Sequence, residues 1–259
     1  MSSFSIIIVS LNTKKDFIKT FNSTKKQSYK KIEIIVVDGN SSDGTIKEIK
    51  KLKKNISKFI IEKDRGIYDA MNKGLKLAKN DWIIFMNSGD QFYNKNVLKN
   101  LSRHCMGKDK KIIFGNTLIR NENFSHKVES HYFTKNTLIM PFCHQSAVVS
   151  SNLYNKNFFN INYKLSSDFN FFLNCYNNKI KFLKYENIIS KIKSGGQSDI
   201  FRQKVFSENC KIFIKRKQLL KVFLLYLLKI IEFIKSVIKK VLPKKLIINL
   251  LKLKYKNKL

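Results

Sequence analysis

The length and composition of the chain exclude several classes of protein. It has 259 residues, of which 43% are hydrophobic, including 21 Phe and 10 Tyr. This excludes a disordered chain, because disordered chains lack the apolar side chains whose burial offsets the entropy of ordering. Two Pro and 9 Gly exclude collagen-like and Pro/Gly-rich low-complexity architectures. Four Cys without a C-x-x-C pair are too few for a disulfide scaffold in a chain of this length, and they favour a reducing compartment.

The chain is strongly basic, and its charge is unevenly distributed. It has 51 Lys and Arg against 18 Asp and Glu, a formal net charge of +33 at pH 7. Residues 211–259 hold 15 of the basic residues and a single acid, Glu232, so this segment is about three times as charge-dense as the rest. Charge of this kind indicates a polyanionic partner: nucleic acid, an anionic membrane or a phosphorylated substrate.

Apolar runs rich in β-branched residues alternate with polar, helix-favouring segments along the first 200 residues. Continuous apolar strands are buried on both faces, so the alternation predicts an α/β domain with a parallel sheet covered by helices. Turn and cap residues at 38–45 predict a loop and the start of a helix. The predicted strands are 5–10, 32–37, 59–62, 82–86, 112–115 and an edge strand at 180–185, and the predicted helices end at about 27 and 55 and span 66–79 and 167–178.

The pattern changes near residue 200 to long amphipathic helices, which predicts two parts: an α/β domain over 1–210 and a basic helical tail over 211–259. Within 219–242, polar residues recur every three to four positions and apolar residues fill the rest. Pro243 interrupts this pattern, which resumes at 246–253. Such a helix either packs on the first domain or lies in the interface of an anionic membrane.

The sequence predicts neither a secretory signal nor a membrane span. The amino-terminal apolar run has no basic region before it and is too short for a signal peptide. The longest uncharged apolar run, 222–228, is far shorter than the roughly 20 residues that cross a bilayer. We therefore expect a cytoplasmic protein, free or attached to a surface.

Three aspartates follow predicted strands, where ligands bind in parallel α/β sheets: Asp38, Asp64 and Asp90. Neither a G-x-G-x-x-G nor a Walker A motif is present, which argues against dinucleotide and NTP sites of those kinds. Each aspartate alone is equally typical of a helix cap or turn. Cys143 and His144 suggest a metal pair, but no second pair stands at ligand spacing, so a zinc site is rejected.

Several segments taken together carry a more specific pattern: 5–12 (SIIIVSLN), 34–45 (IIVVDGNSSDGT), 62–74 (EKDRGIYDAMNKG), 85–90 (FMNSGD), 143–145 (CHQ), 167–168 (SD) and 194–198 (SGGQS). In these segments and their order, the chain resembles glycosyltransferase family 2 over about residues 1–200. The resemblance implies the GT-A fold, with a Rossmann-like, mostly parallel central sheet flanked by helices, and it points to bacterial enzymes of exopolysaccharide, capsule and lipopolysaccharide assembly.

The first segments of the resemblance imply donor-binding residues. Asp38 matches the nucleobase-binding aspartate of the family. Asp64, Arg65 and Asp69 fall at or near a predicted helix start, where free N–H groups and a guanidinium favour a diphosphate. A surface ion pair between Asp69 and Lys73, four residues apart on a helix, is the competing interpretation.

The later segments imply a metal site and a catalytic base. Ser88, Gly89 and Asp90 occupy the D-x-D site of the family, with Ser in place of the first Asp, and Asp90 is expected to contact Mg²⁺ or Mn²⁺, which one carboxylate and substrate phosphates can hold. Asp168 matches the base that takes the proton of the acceptor hydroxyl, and its alternative role is a helix cap. Two further residues match a segment on the acceptor or sugar side without an assigned role: His144 and Gln145.

The resemblance therefore implies an inverting glycosyltransferase of the hexosyltransferase type. It would move one sugar from a nucleotide-diphospho-sugar to a saccharide hydroxyl, with a lipid-linked acceptor and peripheral attachment to the inner face of the cell membrane through the tail. The alternatives are a basic nucleic-acid-binding protein and a catalytically inactive, transferase-like scaffold. Against the first, no RNA-binding, zinc-finger or basic-zipper pattern is present, so no nucleic acid partner is expected.

Overall fold

The structure is a computed structural model that describes residues 2–105, 111–121, 124–154 and 158–241. The predicted helical pattern at 246–253 and the interruption at Pro243 lie outside the described residues. Within the described part, the α/β architecture predicted from the sequence is confirmed. The strands are β1 (Phe4–Ser10), β2 (Ile32–Asp38), β3 (Lys58–Ile61), β4 (Trp82–Phe85), β5 (Gln91–Phe92), β6 (Lys111–Arg120), β7 (Ser125–Val128), β8 (Ala147–Ser150) and β9 (Lys181–Lys193).

The strands form one sheet in the order β3-β2-β1-β4-β8-β6-β9-β5, and β7 pairs with β6. The four strands β3, β2, β1 and β4 are parallel to one another, and β6 is parallel to β9. The pairings of β8 with β4 and β6, of β5 with β9 and of β7 with β6 are antiparallel. The parallel half brings the carboxyl ends of β1, β2 and β4 to one edge of the sheet.

Alternation of side chains explains why the central strands are apolar throughout. In β1, Ile7 and Val9 belong to the largest buried cluster on one face of the sheet, whereas Ile6 and Ile8 belong to clusters on the other face. Successive side chains of a strand point to opposite faces, so a strand covered on both sides by helices is apolar at every position.

Helices cover both faces of this sheet. The helices are α1 (Lys14–Lys25), α2 (Thr45–Lys51), α3 (Ile67–Leu77), α4 (Val97–Ser102), α5 (Ser167–Asn177), α6 (Gln197–Ile200), α7 (Arg202–Lys215) and α8 (Leu219–Val241). Side chains of α3, α5, α7 and the start of α8 share the largest cluster with Ile7 and Val9. Side chains of α1 and α2 pack with Ile8 on the opposite face.

The predicted edge strand at 180–185 differs from the structure in length and place. It is the first part of β9, which runs to Lys193 and lies inside the sheet between β6 and β5. The second half of β9 carries alternating polar side chains and pairs through its backbone with β6 and β5, so its composition does not mark it as a strand.

The C-terminal helices are continuous with the α/β domain. Helix α7 crosses residue 210, the expected boundary, and its Phe206, Ile212 and Phe213 are buried in the largest cluster. Of α8, Val222 and Leu225 join the same cluster, whereas most of its other apolar side chains are exposed. None of the helices in the described part of the chain is long and apolar enough to cross a membrane.

Replacing Leu225 with Ala tests whether the first turns of α8 belong to the core. The Leu225 side chain is fully buried, so its truncation should lower the free energy of unfolding in urea by about 2–5 kcal/mol. The matched control is Leu220→Ala, because Leu220 lies on the same helix and is 72% exposed; its truncation should change that free energy by less than about 0.5 kcal/mol. Equal effects of the two changes would contradict the packing.

Candidate active site

Asp38 lies at the carboxyl end of β2, where it is fully buried. Ser10, its register partner on β1, donates its hydroxyl to Asp38 Oδ2 at 2.7 Å. Ser41 donates its backbone N–H to Oδ1 at 2.7 Å and its hydroxyl to Oδ2 at 2.8 Å. These three hydrogen bonds hold the carboxylate in one orientation at the sheet edge.

Asp64 lies directly against the backbone beside Asp38. A Cβ added to Gly39 would fall 2.5 Å from Asp64 Oδ2 and 3.1 Å from Leu11 Cδ1, so only glycine allows this approach. Asp64 Oδ1 accepts the backbone N–H of Gly66 at 2.9 Å, just before α3 begins. The structure thus places the Asp64 carboxylate against Gly39, the residue that follows Asp38.

Arg65 lies in the loop before α3, and Asp69 lies in the first turn of that helix. The Arg65 side chain is 73% exposed, and its Nη2 is 3.7 Å from Asp69 Oδ1. Asp69 accepts the backbone N–H of Arg65 at 3.0 Å, and Lys73 Nζ lies 3.6 Å from Asp69 Oδ2. The hydrogen bond from Arg65 lowers the pKa of Asp69. The ion pair that competes with a diphosphate role is therefore formed, while the guanidinium projects into solvent.

Ser88, Gly89 and Asp90 form a tight loop after β4, and Thr20 of α1 holds it in place. Gly89 has a φ of 104°, a conformation that favours glycine, and its N–H donates to Thr20 Oγ1 at 2.8 Å. The same hydroxyl donates to the carbonyl of Asp90 at 2.7 Å. The loop turns the Asp90 carboxylate inward, where it is 8% exposed.

The Asp90 carboxylate has few partners for its degree of burial. Its Oδ2 accepts one hydrogen bond, from Gln145 Nε2 at 3.0 Å. Burial disfavours the charged form and raises the pKa of Asp90 to about 7, although His144, Gln145 and Arg120 oppose this effect. A cation placed at this carboxylate would offset the cost of burying its charge.

Asp168, the second residue of α5, is by contrast well supplied with hydrogen bonds. Its Oδ1 accepts the hydroxyl of Tyr68 and the N–H of Phe169, both at 2.8 Å, and its Oδ2 lies 3.2 Å from His144 Nδ1. Burial alone would raise the pKa of Asp168, but the bonds from His144, Tyr68 and Phe169 outweigh it and lower the pKa below its usual value. Asp168 is therefore an ionised acceptor at neutral pH.

Tyr68 and Asn87 contact the pair formed by Asp168 and His144: Tyr68 contacts Asp168, and Asn87 contacts His144. Burial, followed by the charge of Asp168, raises the pKa of Tyr68 well above its ordinary value, so its hydroxyl remains a donor. Asn87 Nδ2 lies 3.3 Å from His144 Nε2. His144 therefore contacts Asp168 through Nδ1 and Asn87 through Nε2, so both ring nitrogens have a partner within the site.

The adjacent residues His144 and Gln145 connect the two carboxylates. They lie on one 3₁₀ turn, His144–Ser146; His144 contacts Asp168 and Gln145 contacts Asp90. The buried Ser146 hydroxyl anchors this turn through the hydroxyls of Thr117 at 2.7 Å and Ser190 at 2.6 Å. The candidate base and the candidate metal ligand are thus held by neighbouring side chains of one turn.

Several buried polar atoms around the site have no hydrogen-bond partner. They include Asn87 Oδ1, Ser88 Oγ and Ser167 Oγ, and each belongs to a residue next to, or within three residues of, Asp90 or Asp168. Buried polar atoms are almost always paired, so these oxygens indicate a ligand that completes them. With the Asp90 carboxylate, Ser88 Oγ and Asn87 Oδ1 are the hard oxygen ligands that Mg²⁺ and Mn²⁺ accept.

No group of three or more His, Cys, Asp or Glu side chains that could hold a metal ion is found among the described residues. A cation at Asp90 would therefore take most of its ligands from the substrate and from water, as Mg²⁺ commonly does. In the described part of the chain, the oxygen donor set fits a divalent cation shared with a diphosphate better than a preformed protein cage.

Two residues that hold the site were not singled out from the sequence: Tyr68 and Asn87. Both lie inside segments of the family pattern, Tyr68 three residues after Arg65 and Asn87 directly before Ser88. Tyr68 is also buried in the core, so an aromatic residue at a helix start is readily taken as packing alone. Its second role depends on Asp168, which lies 100 residues away in the sequence.

Comparisons with known proteins agree with this geometry. Residues 5–188 match the family described as Glycosyl transferase family 2. A relative named PGL/p-HBAD biosynthesis glycosyltransferase, from Mycobacterium bovis, is 26% identical over 214 residues, which are 78% of this chain and 82% of the relative. The UDP-Glc:alpha-D-GlcNAc-diphosphoundecaprenol beta-1,3-glucosyltransferase WfaP of Escherichia coli is 35% identical over 113 residues, 42% of this chain and 43% of that one.

Solved structures show the same fold. TarS 1-349 of S. aureus, in complex with UDP-GlcNAc, superposes with a TM-score of 0.63 at 19% identity, covering 81% of this chain and 66% of that one. The mannosyltransferase PcManGT of Pyrobaculum calidifontis, in complex with GDP-Man and Mn2+, gives a TM-score of 0.66 at 14% identity, covering 84% and 64%. In both cases the chain spans less than two thirds of the neighbour, and the likeness confirms the predicted GT-A fold.

Replacing Asp90 with Asn should stabilise the metal-free chain, more at pH 8 than at pH 5. Because burial raises the pKa of Asp90 from 3.8 to about 7, the folded state binds a proton more tightly than the unfolded state, and stability falls as pH rises between these values. Asn stays neutral, so the variant avoids this loss, which at pH 8 is at most about 4 kcal/mol. Urea denaturation with a chelator at both pH values measures the gain.

The control for this change is Asp81→Asn, because Asp81 is exposed and lies away from the site. That variant should show no comparable gain at pH 8. A gain for Asp90→Asn that is the same at both pH values would contradict the raised pKa.

Proposed function

Since the chain belongs to glycosyl transferase family 2 and is a glycosyltransferase, we propose that it moves one sugar from a nucleotide-diphospho-sugar to a saccharide hydroxyl by a single, inverting displacement. The observation that carries this proposal is the 3₁₀ turn that holds an ionised carboxylate, Asp168, and also contacts a second carboxylate, Asp90, whose pKa is raised to about 7 by burial. One carboxylate suits proton transfer, and the other suits the charged leaving group.

Asp168 is proposed as the general base. An inverting displacement needs a carboxylate that takes the proton of the acceptor hydroxyl as this oxygen attacks the anomeric carbon, and such a base contributes roughly 10²–10⁴-fold. The lowered pKa keeps Asp168 ionised, and the bonds from Tyr68 and His144 fix its orientation before substrate binds. Orientation of this kind is a main source of catalytic rate.

Donor recognition is proposed for the neighbouring edge of the sheet. Asp38 would accept a nucleobase N–H, and Asp64 lies close enough to border the same slot. The exposed guanidinium of Arg65 is free to turn toward a diphosphate, and the N–H groups at the start of α3 favour the same charge. Asp69, bonded to the Arg65 backbone, would shape this loop.

A divalent cation, Mg²⁺ or Mn²⁺, is proposed at Asp90. When bound, such an ion neutralises the charge that develops on the leaving diphosphate. Support comes from the raised pKa of Asp90, from the unpaired oxygens of Asn87 and Ser88, and from the neighbour of the same fold whose complex includes Mn2+. Gly89 lets the backbone pass close to the diphosphate.

A lipid-linked saccharide is proposed as the acceptor, within cell-surface polysaccharide assembly such as capsule or lipopolysaccharide. The E. coli relative is named for an acceptor on diphosphoundecaprenol, and the mycobacterial relative for PGL/p-HBAD biosynthesis. The basic, apolar surface of α8 agrees with a substrate that resides in a membrane. His144 and Gln145 would lie on the acceptor or sugar side.

The tail is proposed to attach the protein peripherally to the inner face of the cell membrane, with the exposed apolar part of α8, within 211–259, as the attachment segment. Contiguous apolar surface of this extent is rare on soluble monomers and marks interaction sites. The lysines along α8 favour an anionic leaflet. The exposed apolar side chains of α8 are Leu219, Leu220, Phe223, Leu224, Tyr226, Leu227, Ile230, Ile231, Phe233, Ile234, Val237 and Ile238.

The test of the reaction is nucleotide-diphosphate release from a panel of UDP-, GDP- and dTDP-sugars with Mn²⁺ and a membrane extract as acceptor. Asp168→Asn should lower kcat by roughly 10²–10⁴-fold and leave donor Kd nearly unchanged, because Asn keeps the size of the side chain but accepts no proton. Asp90→Asn should lose the Mn²⁺ dependence of donor binding. The anomeric configuration of the product, read by NMR, should be inverted relative to the donor.

Four outcomes would contradict the proposal. Full activity of Asp168→Asn removes the assigned base, and a retained anomeric configuration removes the single displacement. Absence of turnover with every donor favours the inactive scaffold. Tight, salt-dependent binding of duplex DNA in place of nucleotide-sugars would favour a nucleic-acid-binding protein.

The membrane proposal predicts that the chain sediments with vesicles that contain phosphatidylglycerol, and that high salt weakens but does not abolish this binding. Salt screens the attraction of the lysines, whereas apolar insertion is not screened. Replacing Phe223, Ile230 and Ile234 with Ser should reduce sedimentation at high salt by at least tenfold in partition coefficient, since each removed side chain contributes roughly 1.5–3 kcal/mol when fully buried.

The matched control replaces three exposed apolar residues elsewhere, Phe59, Ile139 and Phe158, with Ser. Thermal midpoints of both variants verify that they fold. Equal sedimentation of the two variants, or binding that high salt removes completely, would contradict insertion of α8.

A further inference from the structure

Glu208 of α7 binds the chain just before the helix that carries Asp168. Its Oε1 accepts the backbone N–H of Lys164 at 2.8 Å, and its Oε2 accepts those of Leu165 and Ser166, both at 2.9 Å. One carboxylate therefore satisfies three successive N–H groups. Hydrogen bonds to an ionised acceptor are roughly twice as strong as those between neutral groups.

These bonds fix the chain that leads into α5, which begins without a side-chain cap from its N-cap residue. The N-cap residue of α5, Ser166, makes no side-chain capping bond within its own helix, and its hydroxyl lies 3.4 Å from the carbonyl of Val205 on α7. The start of α5 is thus held from another helix. Because Asp168 is the second residue of α5, the place of its carboxylate depends on where this start is fixed.

The C-terminal end of α7 makes further contacts with α5 beyond Asp168. Arg216 donates from Nη2 to Asn170 Oδ1 at 2.9 Å and to Asn174 Oδ1 at 2.6 Å. The ring of Phe213 meets that of Phe169 edge to face, with centroids 5.9 Å apart. Contacts before and after Asp168 therefore come from the same helix, and they oppose sliding and rotation of α5.

We propose that Glu208 is a positioning residue for sugar transfer, which acts through Asp168 by fixing the start of α5. The proposal rests on the proposed role of Asp168 as the base. Glu208 lies beyond residue 188, where the match to the family ends, and is thus in the C-terminal region of the chain. A displacement of a reacting group by about 1 Å can cost on the order of 10²-fold in rate, which sets the size of the expected effect.

The test compares Glu208→Ala and Glu208→Gln in the full chain. Glu208→Ala should lower kcat on the order of 10²-fold and change donor Kd far less, because Glu208 bonds the start of α5 directly and reaches the donor loop only through Lys164, whose Nζ donates to the Arg65 carbonyl at 3.0 Å. Glu208→Gln keeps one acceptor oxygen and should lose less activity than the Ala variant. Glu129→Ala, which removes an exposed carboxylate paired with Lys127, is the matched control and should leave kcat unchanged.

A double-variant cycle with Asp168→Asn separates positioning from general stabilisation. If Glu208 acts through Asp168, adding Glu208→Ala to Asp168→Asn should cause little further loss of kcat, because the base that it positions is already absent. A loss of kcat that is additive in the double variant would overturn the proposal. So would a normal kcat of Glu208→Ala at a temperature where it is folded.

The outcomes distinguish this proposal from the proposed function. Full activity of Asp168→Asn alone refutes the base itself, whereas an inactive Asp168→Asn with an additive Glu208→Ala refutes only the positioning. If Glu208→Ala does not fold, Glu208→Gln carries the same cycle. A kcat of Glu208→Gln equal to that of the unaltered chain then overturns the proposal.

Discussion

The rest of the site depends on two carboxylates that side chains of one 3₁₀ turn contact, the buried Asp90 and the partly exposed Asp168. Burying a charge without partners is costly, and the protein treats the two differently. Asp168 receives hydrogen bonds from Tyr68, His144 and the helix backbone, which keep it ionised. Asp90 receives one bond from Gln145, and burial raises its pKa to about 7. The first carboxylate has its hydrogen bonds before substrate arrives, whereas the proposed cation would complete the second.

Much of the fold and part of the site could be predicted from the sequence. Strands such as β1 are apolar at every position because both faces are covered, and this composition is visible in one chain. The short β8 and the polar half of β9 are not visible, since they are strands through backbone pairing with neighbours distant in sequence. The aspartates stood out by their places after strands, but Tyr68 and Glu208 serve the site through partners on other elements.

The basic residues of the chain lie in more than one structural environment. Lysines on α8 stand among exposed apolar side chains, whereas the Lys73 side chain lies between Glu62 and Asp69 next to the donor edge. Composition alone therefore does not separate a membrane surface from a nucleic-acid surface, because both need positive charge. What separates them here is the apolar face of α8, which a phosphate backbone has no means to cover.

The contacts of α7 show that the folded unit of this chain extends beyond the residues that match the family. The family match ends at 188, yet Phe213 and Leu225 lie in the same core as Ile7 of the first strand. A shortened chain ending there would leave the N–H groups at 164–166 without their acceptor and would uncover part of that core. Any other C-terminal region acquired during divergence would need to supply both a carboxylate for these groups and an apolar face. Only C-terminal regions that meet both requirements could replace the present one in this fold.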